Sequence, residues 1–254
     1  MKVIVIALNT FKEAVRDRIL YTILAFALAL IGGSVILANL SVGGEEKIIK
    51  DLGLASILIF GTLIAIFIGI GLVYKELDKR TIYTLIAKPI HRYEFILGKY
   101  LGLLITLFVN VSVMALGLFL LVSLMEGTWN VGLLYAVLLI FVELMVITAA
   151  SLLFSSFTTP TLSAIFTLSV FIIGHLSQDL KEFAAQFGGQ TMKAVVFTLY
   201  YLLPNLSNFN IKGQAVHGVP VPMSFIGLSI LYGAFYLSAL LILAMLIFER
   251  RDFK

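Results

Sequence analysis

Residues Val131–Phe154 read VGLLYAVLLIFVELMVITAASLLF, 24 residues in which Glu143 alone carries a charge. Wound as an α-helix, such a run is about 36 Å long at about 1.5 Å per residue. The hydrocarbon core of a bilayer is about 30 Å thick and takes about 20 apolar residues to cross. Four more segments meet that length: Ile19–Leu40, Leu54–Val73, Tyr100–Leu124 and Phe225–Phe248. A sixth, Thr161–Ser177, is shorter and follows Pro160, which prevents the fourth span from running on into the fifth. The reading is an all-α polytopic membrane protein with six transmembrane helices.

The totals agree with the segments. Of 254 residues, 61% are hydrophobic and 13% charged, and the mean hydropathy is +1.08. Soluble domains are nearer half apolar and a quarter charged. A soluble enzyme, a disordered tail and a secreted disulfide scaffold are therefore excluded. The absence of cysteine removes thiolate metal sites and cysteine nucleophiles. The N-terminal apolar run Val3–Leu8 is short and soon followed by Lys12, Glu13, Arg16, Asp17 and Arg18, which is not the pattern of a cleaved signal.

Charge sets the expected orientation. With the N-terminus in the cytoplasm, that side holds 13 of the 18 Lys and Arg: four before the first span, six in the loop after the second, and three at the C-terminal end. The other side holds five, namely Lys47, Lys50, Lys181, Lys193 and Lys212. This bias places both termini in the cytoplasm. It also assigns the net charge of +4 to basic loops beside a bilayer and not to nucleic-acid binding. Tyr74 and Tyr100 on one side, and Trp129 and Tyr135 on the other, sit where interfacial aromatics belong. The two halves of the chain show no inverted repeat, which argues against many secondary-transporter folds.

The loop of residues 74–99 carries the most information. Ile82, Leu85 and Ile86 recur at helical spacing, so a short amphipathic helix is expected, ended by Pro89. Such an element suits either docking on a cytoplasmic partner or binding of lipid headgroups. Glu76, Arg80-Thr81, the apolar helix, Pro89, Arg92 and Gly98-Lys99 together resemble the signature loop of type-2 ABC export permeases. The six-span layout, an amphipathic segment over residues 1–18, and the basic end Glu249-Arg250-Arg251 extend that resemblance over most of the chain. It implies a coupling helix docking on a separate ABC ATPase subunit, with Glu76, Arg80, Thr81, Pro89 and Arg92 at the coupling surface. It also implies an interfacial connecting helix over Val3–Arg18, whose expected apolar side is Val3, Ile4, Ala7, Leu8 and Phe11. No G-x-x-x-x-G-K-[ST] loop is present, so ATP and Mg are expected on the partner and no cofactor in this chain. A homodimer with two ATPase copies in a prokaryotic plasma membrane follows from the same resemblance.

Three polar residues stand at similar depth within the spans. Glu143 lies 12 residues from Val131 and 11 from Phe154; Asn110 lies 10 from Tyr100, and Tyr236 12 from Phe248. Counting about 1.5 Å per residue brings their heights within roughly 3 Å of one another. A carboxyl at that depth faces the bundle interior, and it lines either a translocation path, a dimer seam or a packing contact with Asn110 or Tyr236. The alternative function this permits is a proton-coupled secondary transporter using Glu143. His175, near the expected end of the fifth span, and His217 have no metal-ligand partner at the right spacing. A membrane enzyme would need clustered polar residues at one depth, and no catalytic constellation is read. Within the loop 178–224 the apolar run Ala194–Leu206 is too short to span, so a re-entrant or surface helix is expected. The following Pro204–Asn210 resembles a branch that includes permeases for copper-enzyme maturation.

Overall fold

Local signals begin the helices where the chain requires it. The Asp17 carboxylate accepts from the Ile19 N–H at 3.0 Å, and the Asn130 side chain accepts from the Gly132 N–H at 2.9 Å. Pro160 occupies the first turn of its helix, where a missing N–H costs nothing. The computed structural model describes residues 2–40, 44–78, 91–126 and 130–250. Among these the elements are α1 (Lys2–Val15), α2 (Arg18–Asn39), α3 (Glu45–Asp78), α4 (Arg92–Glu126), α5 (Val131–Ser155), α6 (Pro160–Phe187), α7 (Gln190–Leu202), a 3-10 turn (Leu206–Phe209), α8 (Lys212–His217) and α9 (Met223–Arg250). No strand occurs among the described residues.

Six helices, α2, α3, α4, α5, α6 and α9, are long and apolar enough to cross a membrane. Five match the expected spans within the length of their polar extensions. The fifth differs: α6 continues ten residues past Ser177, to Phe187. Its later residues Asp179, Lys181 and Glu182 mask the extension, because hydropathy drops there while the backbone stays helical.

α3 and α5 form the centre. Within their apolar stretches 72% and 67% of residues are buried, against 22%, 28% and 17% for α2, α6 and α9. They run in the same direction, since Gly61 abuts Leu144 and Gly69 abuts Ser151 further along. α2 and α4 flank α3, and α6 and α9 flank α5. The end of the bundle bearing α1, the close of α3, the start of α4 and the close of α9 is the terminal end. The opposite end carries the starts of α3, α5 and α9.

α1 lies along α4. Its expected apolar side is divided: Ala7 is buried, but Ile4 and Leu8 are exposed. The face that packs is Val3, Ile6, Ala7, Thr10 and Ala14, because α4 offers Gly98 and Gly102 four residues apart and small residues let two helices close up. A Cβ on Gly102 would fall 2.5 Å from Thr10 Cβ and 2.6 Å from the Ala7 carbonyl oxygen. A second stripe, Ile4, Leu8 and Phe11, points away from α4, and Lys12, Arg16 and Asn9 make a third, polar one. Three stripes for protein, lipid and water are what an interfacial helix needs.

Gly102→Val is expected to force α1 off α4 at a cost of about 1–3 kcal/mol. Gly117→Val on the same helix meets only one Leu28 methyl at 3.4 Å and serves as the mild comparison. Thermal unfolding in detergent should rank the first variant clearly below the second.

Candidate functional site

Between α7 and α9 the chain leaves the helix and enters the bundle. Pro204, Asn205, Leu206, Phe209, Ile211, Ala215 and Val216 are all buried. Gly174 on α6 makes room, since a Cβ there would lie 2.7 Å from Leu206 and 2.8 Å from the Pro204 carbonyl oxygen. On the other side Tyr232 Oη accepts from the Asn205 N–H at 2.7 Å, and Ser229 Oγ donates to the Asn208 carbonyl at 2.9 Å. These contacts lie 6 and 9 residues inside the start of α9, or about 9 to 14 Å along its axis. The segment then returns through α8, where Asn130 Nδ2 donates to the Ala215 carbonyl at 3.4 Å. Gly218, in the left-handed conformation at φ 67°, ends α8. The preceding helix α7 has no buried residue and lies against α6, with Lys181 Nζ 3.9 Å from the Tyr200 ring centre.

Glu143 sits beneath this insertion, 1% exposed. Its Oε1 faces His175 Nε2 at 3.5 Å, and neither atom has a hydrogen-bond partner. The other ring nitrogen, His175 Nδ1, lies 3.2 Å from the Phe171 carbonyl oxygen. Ser207 Oγ donates to the His175 carbonyl at 2.9 Å, which ties the inserted segment to the same residue. Lys212, at the start of α8, lies within electrostatic reach of Glu143, His175 and Asp51. Burial lowers the Lys212 ammonium from its ordinary value, while the Glu143 and Asp51 carboxylates pull it back up.

Asn110 and Tyr236 make other contacts. Asn110 Nδ2 donates to the Thr106 carbonyl one turn back on its own helix at 2.7 Å. The Tyr236 hydroxyl donates to the Tyr201 and Leu203 carbonyls at 3.4 and 3.5 Å, at the mouth of the inserted segment. Equal height along neighbouring helices does not put side chains on facing sides. Asn110 Oδ1 and Thr62 Oγ1 join Glu143 Oε1 and His175 Nε2 as buried, unpartnered atoms among the described residues. His175 stands near the end of the apolar stretch Thr161–Ser177, but α6 itself runs on to Phe187. With α6 at full length the histidine lies 15 residues from Pro160, comparable to Glu143 at 12 from Ser155. Among the described residues no three His, Asp or Glu side chains come together as a metal site would require.

At the terminal end, Glu76 lies in the last turns of α3, while Arg80, Thr81 and Pro89 lie outside the described residues, as does the expected helix around Ile82. Arg92 opens α4, and its Nη1 donates to the carbonyls of Phe248 at 3.3 Å and Glu249 at 2.7 Å. A cation at these last carbonyls of α9 complements the helix dipole. Phe95 stacks on Phe248 at 5.6 Å, and Glu13 meets the buried Lys99 at 3.8 Å. The residues flanking the loop are thus fastened to α1 and α9.

Nearly the whole chain, residues 4–253, matches the family described as ABC-2 family transporter protein. The chain belongs to the ABC-2 family. A search of curated proteins finds no match. As an ABC-2 permease it is a multi-pass membrane subunit of a transporter and not itself the catalytic one.

Arg92→Ala removes two charge-assisted bonds at a partly exposed site. A loss of about 1–2 kcal/mol is expected, or about 2–8 °C in Tm. Differential scanning fluorimetry of the purified permease checks it, with Arg92→Lys expected to keep part of the stability.

Proposed function

We propose that this ABC-2 permease is the membrane half of an exporter driven by ATP hydrolysed on a separate ABC ATPase. Two permease copies and two ATPase copies make the working unit, in the plasma membrane of a prokaryote. The terminal end of the bundle then faces the cytoplasm, a placement that the distribution of Lys and Arg supports. Glu76, Arg80, Thr81, Pro89 and Arg92 form the surface on which the ATPase acts, and ATP with Mg is bound on that partner.

The observation that carries this reading is the family match over residues 4–253, and the fastening of the loop's flanks supports it. A push delivered between α3 and α4 reaches the core directly, because α3 is the most buried helix. It reaches α9 through Arg92 and Phe95, and α1 through the Gly98 and Gly102 seam. Movement of the coupling loop is thereby shared among spans instead of being absorbed by a loose connection. The Pro204–Asn210 resemblance to permeases of copper-enzyme maturation falls on the inserted segment, and kinship with that branch is part of the proposal. A second reading, a proton-coupled secondary transporter, draws only on the Glu143–His175 pair. It predicts transport that is sensitive to an uncoupler and insensitive to vanadate, the reverse of the first.

Affinity capture of the tagged permease from native membranes in mild detergent, read by mass spectrometry, tests the proposal. A stoichiometric ATPase bearing Walker motifs is expected with the native chain and absent with Glu76→Ala, Arg80→Ala. Arg92 is left intact in that variant because its loss would disturb α9. An intact permease captured repeatedly without an ATPase would overturn the reading.

A further inference from the structure

The Glu143–His175 contact does not balance unless a proton is counted. His175 Nδ1 faces the Phe171 carbonyl oxygen, which only accepts, so Nδ1 carries a hydrogen. In the neutral ring Nε2 then presents a lone pair. It faces Glu143 Oε1 at 3.5 Å, and a carboxylate oxygen also only accepts. Two acceptors turned toward each other in a buried site repel, and both lack any other partner. One additional proton removes the conflict, either on Oε1, which then donates to Nε2, or on Nε2, which then donates to the carboxylate.

We propose that Glu143 and His175 form a proton-binding site that locks the inserted segment Leu203–Gly218 between α6 and α9. With the proton bound, α5 and α6 are joined across the pair. The inserted segment is then held through Ser207 on the His175 carbonyl and through Leu206 against Gly174 one residue away. When the proton leaves, the carboxylate and the imidazole lone pair push apart, α6 shifts from α5, and the segment loses its seat. Lys212 is the cation placed to neutralise the carboxylate in that state, and it lies on the segment itself.

The surroundings of the pair are specific. Among the described residues, the elements packed on α5 bring toward it His175 from α6, Lys212 from α8, and Asp51 from α3, the last acting on Lys212. α4 packs on α5 with the Tyr100 phenol, which donates to the Met145 carbonyl, while its neutral Asn110 bonds within its own helix. From α9 come the phenols Tyr232 and Tyr236, which bond to the backbone of Tyr201, Leu203 and Asn205. The sign follows from the acceptor conflict: a second proton at acid pH leaves a donor between the pair, whereas removal of the only one leaves none. The lock therefore holds while that proton is bound and is lost as pH rises through the titration of the pair.

The chain has no cysteine, so a single Val216→Cys supplies the only thiol, on the buried part of α8. Its maleimide labelling rate is compared, from about pH 6 to pH 10, in the otherwise native chain and in Glu143→Gln. The glutamine amide donates to Nε2 at every pH and mimics the protonated carboxyl. Dividing the two rates cancels the ionisation of the thiol. The ratio should be near one at low pH and then rise by about tenfold per pH unit, the slope for release of one proton. Lys212→Met, which removes the counter-charge, should move that rise to higher pH without abolishing it. A ratio that stays flat over the whole range overturns the proposal, and so does a Lys212→Met profile superimposable on the native one, which also decides the matter if Glu143→Gln fails to fold. The measurement needs neither ATPase nor cargo, so its failure leaves the exporter reading standing.

Discussion

Hydrocarbon offers no hydrogen bonds, and every backbone group placed in it must find a partner within the protein. The long helices meet this constraint by themselves. The chain breaks it once among its described residues, between α7 and α9, where non-helical backbone lies deep among α5, α6 and α9. There side chains take three of its backbone groups: Tyr232 the Asn205 N–H, Ser229 the Asn208 carbonyl, and Tyr236 the Leu203 carbonyl. Asn205 and Asn210 close the turn internally by accepting from the N–H groups of Ser207 and Lys212. Ser229, Tyr232 and Tyr236 of α9, which look scattered along an apolar helix, are the partners this insertion uses.

The same constraint explains where the bundle is tight. Lipid tails are as apolar as leucine, so helices gain little from burying large side chains against one another and more from close approach. The seam between α1 and α4 follows that rule with Gly98, Gly102, Ala7 and Ala14, and the large residues Ile4 and Leu8 are left on the outside. α3 and α5 approach in the same way at Gly61 and Gly69. Around that centre the remaining helices are attached by a few specific contacts, among them the charged Arg92 cap on α9 and the Glu13–Lys99 and Lys2–Glu94 pairs between α1 and α4. Those contacts tie the start of α4 to both α1 and α9.

Glu143 shows how far depth counting reaches. Its burial and its position at mid-span were legible, because a lone carboxylate in 24 apolar residues has only one affordable environment. Its partner was not. Asn110 and Tyr236 share its height but turn toward their own helix and toward the inserted segment, whereas His175 enters from a helix that continues past its apolar stretch. Counted from Pro160, His175 lies 15 residues into α6, against 12 for Glu143 from Ser155, and the continuation of α6 to Phe187 takes it out of the last turn of its helix.

From sequence alone came the all-α class, the six spans, and the resemblance to a type-2 ABC permease, which the family match upholds at the level of the ABC-2 family. These depend on length, hydropathy and local periodicity, which are properties of contiguous residues. The tertiary structure decided which face of α1 packs, what Arg92 holds, where Pro204–Val216 is seated, and that Glu143 meets His175. Those outcomes depend on the rotation of each helix about its own axis, and that rotation is set by the neighbour it meets rather than by its own sequence.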